Sequence, residues 1–128
     1  MNIALAIIVF LVFDFIGDFL LQSRWVATNK SKDDEALCIH FIYIVATSFL
    51  AFWIVGAGFW KSIPIALGYT IVHCIQDRYL WTLYKEIRLD KGLDFKYYED
   101  KLFYTFIGLD RLLHVALGVS FVAYALNG

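Results

Sequence analysis

The sequence predicts an all-α fold, a bundle of four transmembrane helices forming a single membrane domain over residues 1–128. Three observations predict it. Of the 128 residues, 61% are hydrophobic, against about 45–50% in soluble domains. The apolar residues gather in four runs, each meeting the roughly 20-residue length needed to cross a bilayer as a helix. Ionisable residues inside those runs recur at helical spacing, as Asp14-x3-Asp18, His73-x3-Asp77 and Asp110-x3-His114. Residues i and i+4 share one helix face, so each pair points one way.

The first span, about 3–22, starts without a basic flank, carries Asp14 and Asp18, and lacks a small-residue cleavage site. It is expected to be a permanent span and not a signal peptide. Gln22 closes it, either as a helix-capping amide or as a substrate contact. The connection over 23–35 is charged and holds Lys30, a solvated lysine on the plain reading and a substrate ligand on the sharper one. The second span, about 36–58, ends at Gly58, a typical helix terminator. The third covers about 62–84. The connection over 85–101 alternates charges with Leu93, Phe95, Tyr97 and Tyr98, and reads equally as a loop or a short interfacial helix. The fourth span covers about 102–126.

Smaller features agree with this plan. Trp25, Trp60 and Trp81 stand near span ends, as aromatic belts do. Gly17, Gly68, Gly108 and Gly118 are expected to let helices approach closely. Tyr43, Tyr69, Tyr79 and Tyr104 read as packing or interfacial aromatics. Cys38 and Cys74 are too few for a disulfide framework and read as small buried thiols. One proline, and no Gly/Ser-rich stretch, exclude long linkers. A net charge of −1 gives no reason to expect nucleic acid.

Four spans put the first and third connections on one side of the membrane. That side carries Arg24, Lys30, Lys32, Lys85, Arg88, Lys91, Lys96 and Lys101, whereas the other carries Lys61. Lys and Arg accumulate on cytoplasmic loops, so the charged side is expected in the cytoplasm and both termini outside it. Counted inward from that side, Asp18 and His40 lie roughly 6 Å deep, Asp14, Asp77 and Asp110 roughly 12 Å, and His73 and His114 roughly 17 Å, at the helical rise per residue. Candidate ligands from all four spans therefore share one half of the membrane.

Ionisable groups in hydrocarbon are costly and by default mark function. Imidazole and carboxylate together suit zinc, manganese or iron. The third and fourth spans run antiparallel with inverted His/Asp order, which brings like ligands to like depths. His73, Asp77, Asp110 and His114 would form one site, and Asp14, Asp18 and His40 could complete a second. One or two divalent metals are expected, zinc first. Arg78 and Arg111 beside such a centre suit a phosphate or oxyanion, with Asp18 or Asp14 as base. The plainer alternative is a metal-free ion-pair network, Arg78 with Asp110 and Arg111 with Asp77.

These spaced polar residues resemble the bacterial and phage membrane family known as domain of unknown function 3307. Asp18-Phe19-Leu20-Leu21-Gln22, then Trp25 and Lys30, are similar to its opening pattern. His40, His73-x3-Asp77 and Asp110-x3-His114 are similar to its later motifs. The chain departs at Asp14, where the pattern has histidine, and at Arg111, where it usually has glutamine. The resemblance covers about residues 10 to 118 and implies an integral protein of the bacterial inner membrane, or of a phage acting there.

The expected function is metal-dependent hydrolysis of a phosphoester or lipid-like substrate, in contact with membrane lipids. The alternatives are a divalent-ion or proton transporter and a metal-stabilised membrane adaptor. A homodimer is compatible with so small a bundle.

Overall fold

The computed structural model describes residues 1–88 and 96–128. The described residues contain five helices. They are α1 (Ile3–Phe15), which runs on as a π-helical turn over Ile16–Leu20; α2 (Arg24–Asn29); α3 (Asp34–Phe52), continued by a second π-helical turn over Trp53–Ala57; α4 (Phe59–Ile87); and α5 (Lys101–Asn127). The chain is thus all-helical, and each expected span falls on one long helix. The short helix α2 breaks up the connection over 23–35. Of the connection over 85–101, Tyr97–Glu99 form one 3₁₀ turn. The rest of the loop-or-helix question, with Leu93 and Phe95, falls on 89–95, outside the described residues.

Local chemistry explains where the helices start. The first N–H groups of a helix lack internal partners, and a short polar side chain just before them supplies one. Asn2 accepts from Leu5 N at 2.9 Å, Ser23 from Val26 N at 3.2 Å, and Asp33 from Ala36 N at 3.0 Å. Asp34 and Glu35 in the first turn of α3 add favourable charge at the dipole's positive end. The turn from α3 into α4 uses two glycines in the left-handed region, Gly56 at φ 105° and Gly58 at φ 86°. Gly58 was expected to end a helix, whereas Gly56 shares the turn unforeseen.

Asp100 organises the entry to α5. It accepts from Leu102 N at 3.2 Å, from Tyr84 Oη at 2.9 Å and from Arg88 Nε at 2.8 Å. Burial pushes its carboxyl up, but Arg88 and Tyr84 win and hold it below the usual carboxylate range. A lowered acid stabilises the fold above its ordinary pKa and stops doing so as pH falls through the lowered one. Asp100→Asn should therefore let trypsin cut faster between α4 and α5 at neutral pH. The native chain should loosen there only in acid, below about pH 4. Equal cleavage rates at neutral pH would rule out this role.

The helices α1, α3, α4 and α5 close into a bundle, with α3 on α4, α4 on α5, and α1 against both α3 and α5. An apolar core fills the half nearer the α3–α4 turn. There Phe10 meets Tyr69 edge-on at 5.0 Å and Phe52 at 5.1 Å, flanked by Ala6, Ala51 and Val122. Small residues allow this closeness. A side chain at Gly118 would collide with the Phe10 ring, and one at Gly17 with Thr47, while Gly68 has only ordinary contact with Phe121 and Gly108 faces open space. Close approach is thus real at Gly17 and Gly118 and absent at Gly108. Gly118→Ala should destabilise the bundle by about 1–3 kcal/mol through overpacking, seen as a lower unfolding temperature in detergent. Gly108→Ala should leave it unchanged; equal effects would refute the distinction.

The surface inverts the usual arrangement. Ile8, Val12, Ile42, Leu50, Ile71 and Leu112 are exposed, whereas Asp14, Asp18, His40, His73, Asp77 and His114 are buried. Cys74 is buried as expected, but Cys38 is exposed, because it lies on the outer face of α3. Three segments are long and apolar enough to cross a membrane: Ile3–Leu20, Asp34–Ala57 and Lys101–Asn127. Helix α4 is long enough, but it supplies His73, Gln76, Asp77 and Arg78, and these dilute its apolar character.

Candidate metal centre

The centre is assembled from three helices before a fourth is counted. The π-helical turn after α1 delivers Asp18, α3 delivers His40, and α4 delivers His73 and Asp77. The turn is closed by Leu21 N donating to the Ile16 carbonyl five residues back, at 2.9 Å. Single π turns inside α-helices recur at functional sites because they re-aim a side chain.

The ligand-type atoms of these four residues face one point. His40 Nε2 lies 2.8 Å from Asp77 Oδ2, 3.3 Å from His73 Nε2 and 3.5 Å from Asp18 Oδ1. His73 Nε2 lies 3.4 Å from Asp77 Oδ2 and 3.7 Å from Asp18 Oδ1. Ligands about 2 Å from a tetrahedral ion stand about 3.3 Å from one another, and these separations straddle that value. All four residues are buried, and their ligand atoms lie within 4.8 Å of one another. The group could hold a metal ion.

Asp77 is shared with a second group. Its Oδ1 lies 3.5 Å from His114 Nε2, and His114 Nδ1 lies 3.4 Å from Asp110 Oδ1. Asp77, Asp110 and His114 also have ligand atoms within 4.8 Å of one another. One oxygen of Asp77 thus faces each group, the disposition of a bridging carboxylate. The expected division, with His73, Asp77, Asp110 and His114 in one site, is redrawn by the helix rotations. His73 faces Asp18 and His40 across the bundle, while its ring meets that of His114 at 4.1 Å between centroids, tilted by 38°.

Unmet bonding capacity supports the fit. Oδ1 of Asp77, Oδ1 of Asp110 and both ring nitrogens of His114 are buried without a hydrogen-bond partner in the protein, whereas Oδ2 of Asp77 is ion-paired with Lys30 Nζ at 3.1 Å. His40 Nε2, 2.8 Å from Asp77 Oδ2, also lies within hydrogen-bond distance of His73 Nε2 at 3.3 Å. Buried polar atoms are normally paired. Charge points the same way: Asp14, Asp18, Asp77 and Asp110 outnumber the two cations among them, Lys30 and Arg111, and a divalent ion would offset the difference.

A family model described as "Protein of unknown function (DUF3307)" matches residues 6–127, nearly the whole chain. The chain belongs to the DUF3307 family. No curated protein and no solved structure matches it.

Other residues of this DUF3307 chain take places that the spacing did not reveal. Asp14 joins neither ligand group. It accepts from Tyr69 Oη at 2.6 Å, and that hydroxyl lies 3.2 Å from His73 Nδ1. Because Tyr69 gives its proton to Asp14, its oxygen is left to accept from His73 Nδ1–H. That choice leaves Nε2 as the lone pair facing Asp18, His40 and Asp77, with His40 Nε2 at 3.3 Å. Metal-binding histidines are commonly oriented by such an outer partner. Tyr69, read from sequence as packing, is thus a positioning residue. Its i, i+4 relation to His73 was the available signal.

Lys30 is not a solvated lysine. Its Nζ reaches from the end of α2 to 3.1 Å from both Asp18 Oδ1 and Asp77 Oδ2. Burial pulls its pKa down, but Asp77 and Asp18 outweigh burial and raise it, so the ammonium stays charged at neutral pH. Arg111 donates to Asp18 Oδ2 at 2.7 Å and lies over the Phe19 ring at 4.8 Å. Arg78 points elsewhere, with Nη1 donating to Asp34 at 2.7 Å in the first turn of α3. The alternative pairings of Arg78 with Asp110 and Arg111 with Asp77 do not form. Gln22 lies just past the π turn, its Oε1 buried and unpartnered, outside both ligand groups.

Proposed function

We propose that this chain is an integral membrane enzyme, a metal-dependent hydrolase of phosphoesters or lipid-like substrates. All four long helices cross the membrane, α4 protected from lipid by turning its polar face into the bundle. The charged connections face the cytoplasm of a bacterial cell, the termini face away, and the inner membrane is the site of action. The observation that carries the reading is the buried convergence of Asp18, His40, His73 and Asp77, with Asp77 extending to Asp110 and His114.

Those six residues would hold one or two divalent ions, zinc first and manganese or iron next. A bound divalent ion supplies Lewis acidity and a nucleophilic water at neutral pH. The protein's part is orientation, charge and dryness. Tyr69 and Asp14 hold the tautomer of His73. Asp18 keeps one oxygen on the imidazoles and the other on Arg111. Arg111, one third exposed, is the guanidinium placed to meet a phosphate oxygen. Beyond the centre, Thr47, Ser48, Thr70 and Ser120 donate to carbonyls of their own helices. These four hydroxyls are the main polar groups of the outer halves of the spans, and so sparse a set favours a one-sided pocket over transport.

The test is phosphate release from phosphatidic acid, and p-nitrophenol release from p-nitrophenyl phosphate, by protein in detergent with zinc or manganese. Metal-stimulated turnover, lost on Asp77→Asn, is the expected outcome. No turnover of any phosphoester by metal-loaded protein would defeat the reading.

One observation favours a metal-free ion-pair network: Lys30 Nζ already bridges Asp18 and Asp77. A protein that purifies without metal and resists zinc loading would establish that alternative.

A further inference from the structure

Next to the centre, on the side of the charged connections, lies a cavity of about 330 Å³ between α2, the end of α4 and the start of α5. That volume is in the range of small-ligand sites. Its lining includes Lys30, Ser31, Trp81, Lys85, Tyr97 and Phe103. Three aromatic rings make one wall, Tyr97 and Phe103 at 4.9 Å and Trp81 and Phe103 at 5.7 Å between centroids. Two lysines, Lys85 and Lys30, line the cavity with them. Lys85 Nζ donates to Ser31 Oγ at 2.7 Å, and no described carboxylate lies within salt-bridge distance of it. Lys30 lines the same cavity with its stem while its ammonium rests on Asp18 and Asp77. The cavity and the buried centre therefore share one side chain.

A site with an aromatic wall, one outer ammonium and one inner ammonium fits a ligand that is apolar along its length and anionic at its head. A phosphate suits a lysine ammonium that lacks a carboxylate partner, as Lys85 does among the described residues, and that charge favours an anionic head over a neutral one. We propose that this cavity binds the phosphate group of an amphiphile, with Lys85 holding the phosphate at the mouth and Lys30 marking the way to the centre. The proposal rests on the hydrolytic reading of that centre and names its substrate class.

Trp81 provides a direct readout. Trp25, Trp53 and Trp60 are exposed, so the full chain carrying Trp25→Phe, Trp53→Phe and Trp60→Phe keeps Trp81 as its sole tryptophan. In detergent with chelator, dioctanoyl phosphatidic acid should shift Trp81 emission saturably and dioctanoyl phosphatidylcholine should not. Lys85→Gln should weaken the response about tenfold, as for loss of one charge-assisted hydrogen bond, and Lys85→Arg should retain it. Inorganic phosphate acting alone at like concentration would make free phosphate the source of the group; phosphate without effect would make it the lipid headgroup. The same curve for phosphatidylcholine, or an unchanged curve for a folded Lys85→Gln, would overturn the proposal. Metal content and turnover are measured separately. A binding response in a protein that takes up no metal defeats the hydrolytic reading alone, and a metal-loaded, active protein without the response defeats the cavity alone.

Discussion

Asp77→Asn should strip the protein of metal, whereas Asp14→Asn should leave its metal content close to that of the native chain. The two carboxylates sit at similar depth and are equally attractive as ligands from sequence. In the structure Asp77 offers Oδ2 to His40 and His73 and Oδ1 to His114, so it belongs to both ligand groups. Asp14 belongs to neither and accepts from Tyr69. Asparagine keeps the shape of each side chain and removes its charge, so packing differences are small. Elemental mass spectrometry on protein purified without chelator reads the result. About one or two equivalents of divalent metal are expected in the native protein. His73→Ala should behave like Asp77→Asn. Asp14→Asn should act more weakly, through looser orientation of His73, at the level typical of outer partners, about 10–100-fold in affinity. Metal retained in both Asp77→Asn and His73→Ala would dismiss the centre.

Lys30→Met should lower the stability of metal-free protein by about 3 kcal/mol or more, the loss expected when one partner of a buried ion pair is removed. Its ammonium lies 3.1 Å from an oxygen of each of Asp18 and Asp77. Without it the two carboxylates face each other with only Arg111 close to Asp18. The same change should tighten metal binding, because ammonium and metal compete for the same two oxygens. A ligand that binds only the native state stabilises it in proportion to its affinity. Zinc should therefore raise the unfolding temperature of Lys30→Met more than that of the native chain. If zinc stabilises the native chain by as much as the variant, ammonium and metal do not compete for these oxygens.

The sequence was most informative where a local rule applies. Helical spacing within apolar runs located the four long helices to within a few residues. The caps at Asn2, Ser23, Asp33 and Asp100 follow an equally local rule, though they came to light only in the structure. The Asp14-x3-Asp18 pair keeps to one side, both carboxylates reaching Arg111, at 3.7 and 2.7 Å. Local reasoning could not tell that Asp18 meets the imidazoles at Nε2 whereas Asp14 accepts from Tyr69. Lys30 was illegible for another reason. A lysine in a charged connection is ordinarily solvated, and only the fold of α2 back over the bundle places it on two buried carboxylates.

The sequence by itself determined the helical class, the number of long helices and the collection of Asp and His in one half of the bundle. These follow from periodicity and depth, which depend on position along one helix. Only the tertiary structure decided which of those groups meet. It made Asp77 the shared ligand, put Asp14 and Tyr69 behind His73, sent Arg78 to Asp34 and brought Lys30 inside. Partner choice depends on how each helix is rotated about its axis and how closely its neighbours approach. Those quantities are set by contacts such as Gly17 on Thr47 and Gly118 on Phe10, between residues far apart in the chain.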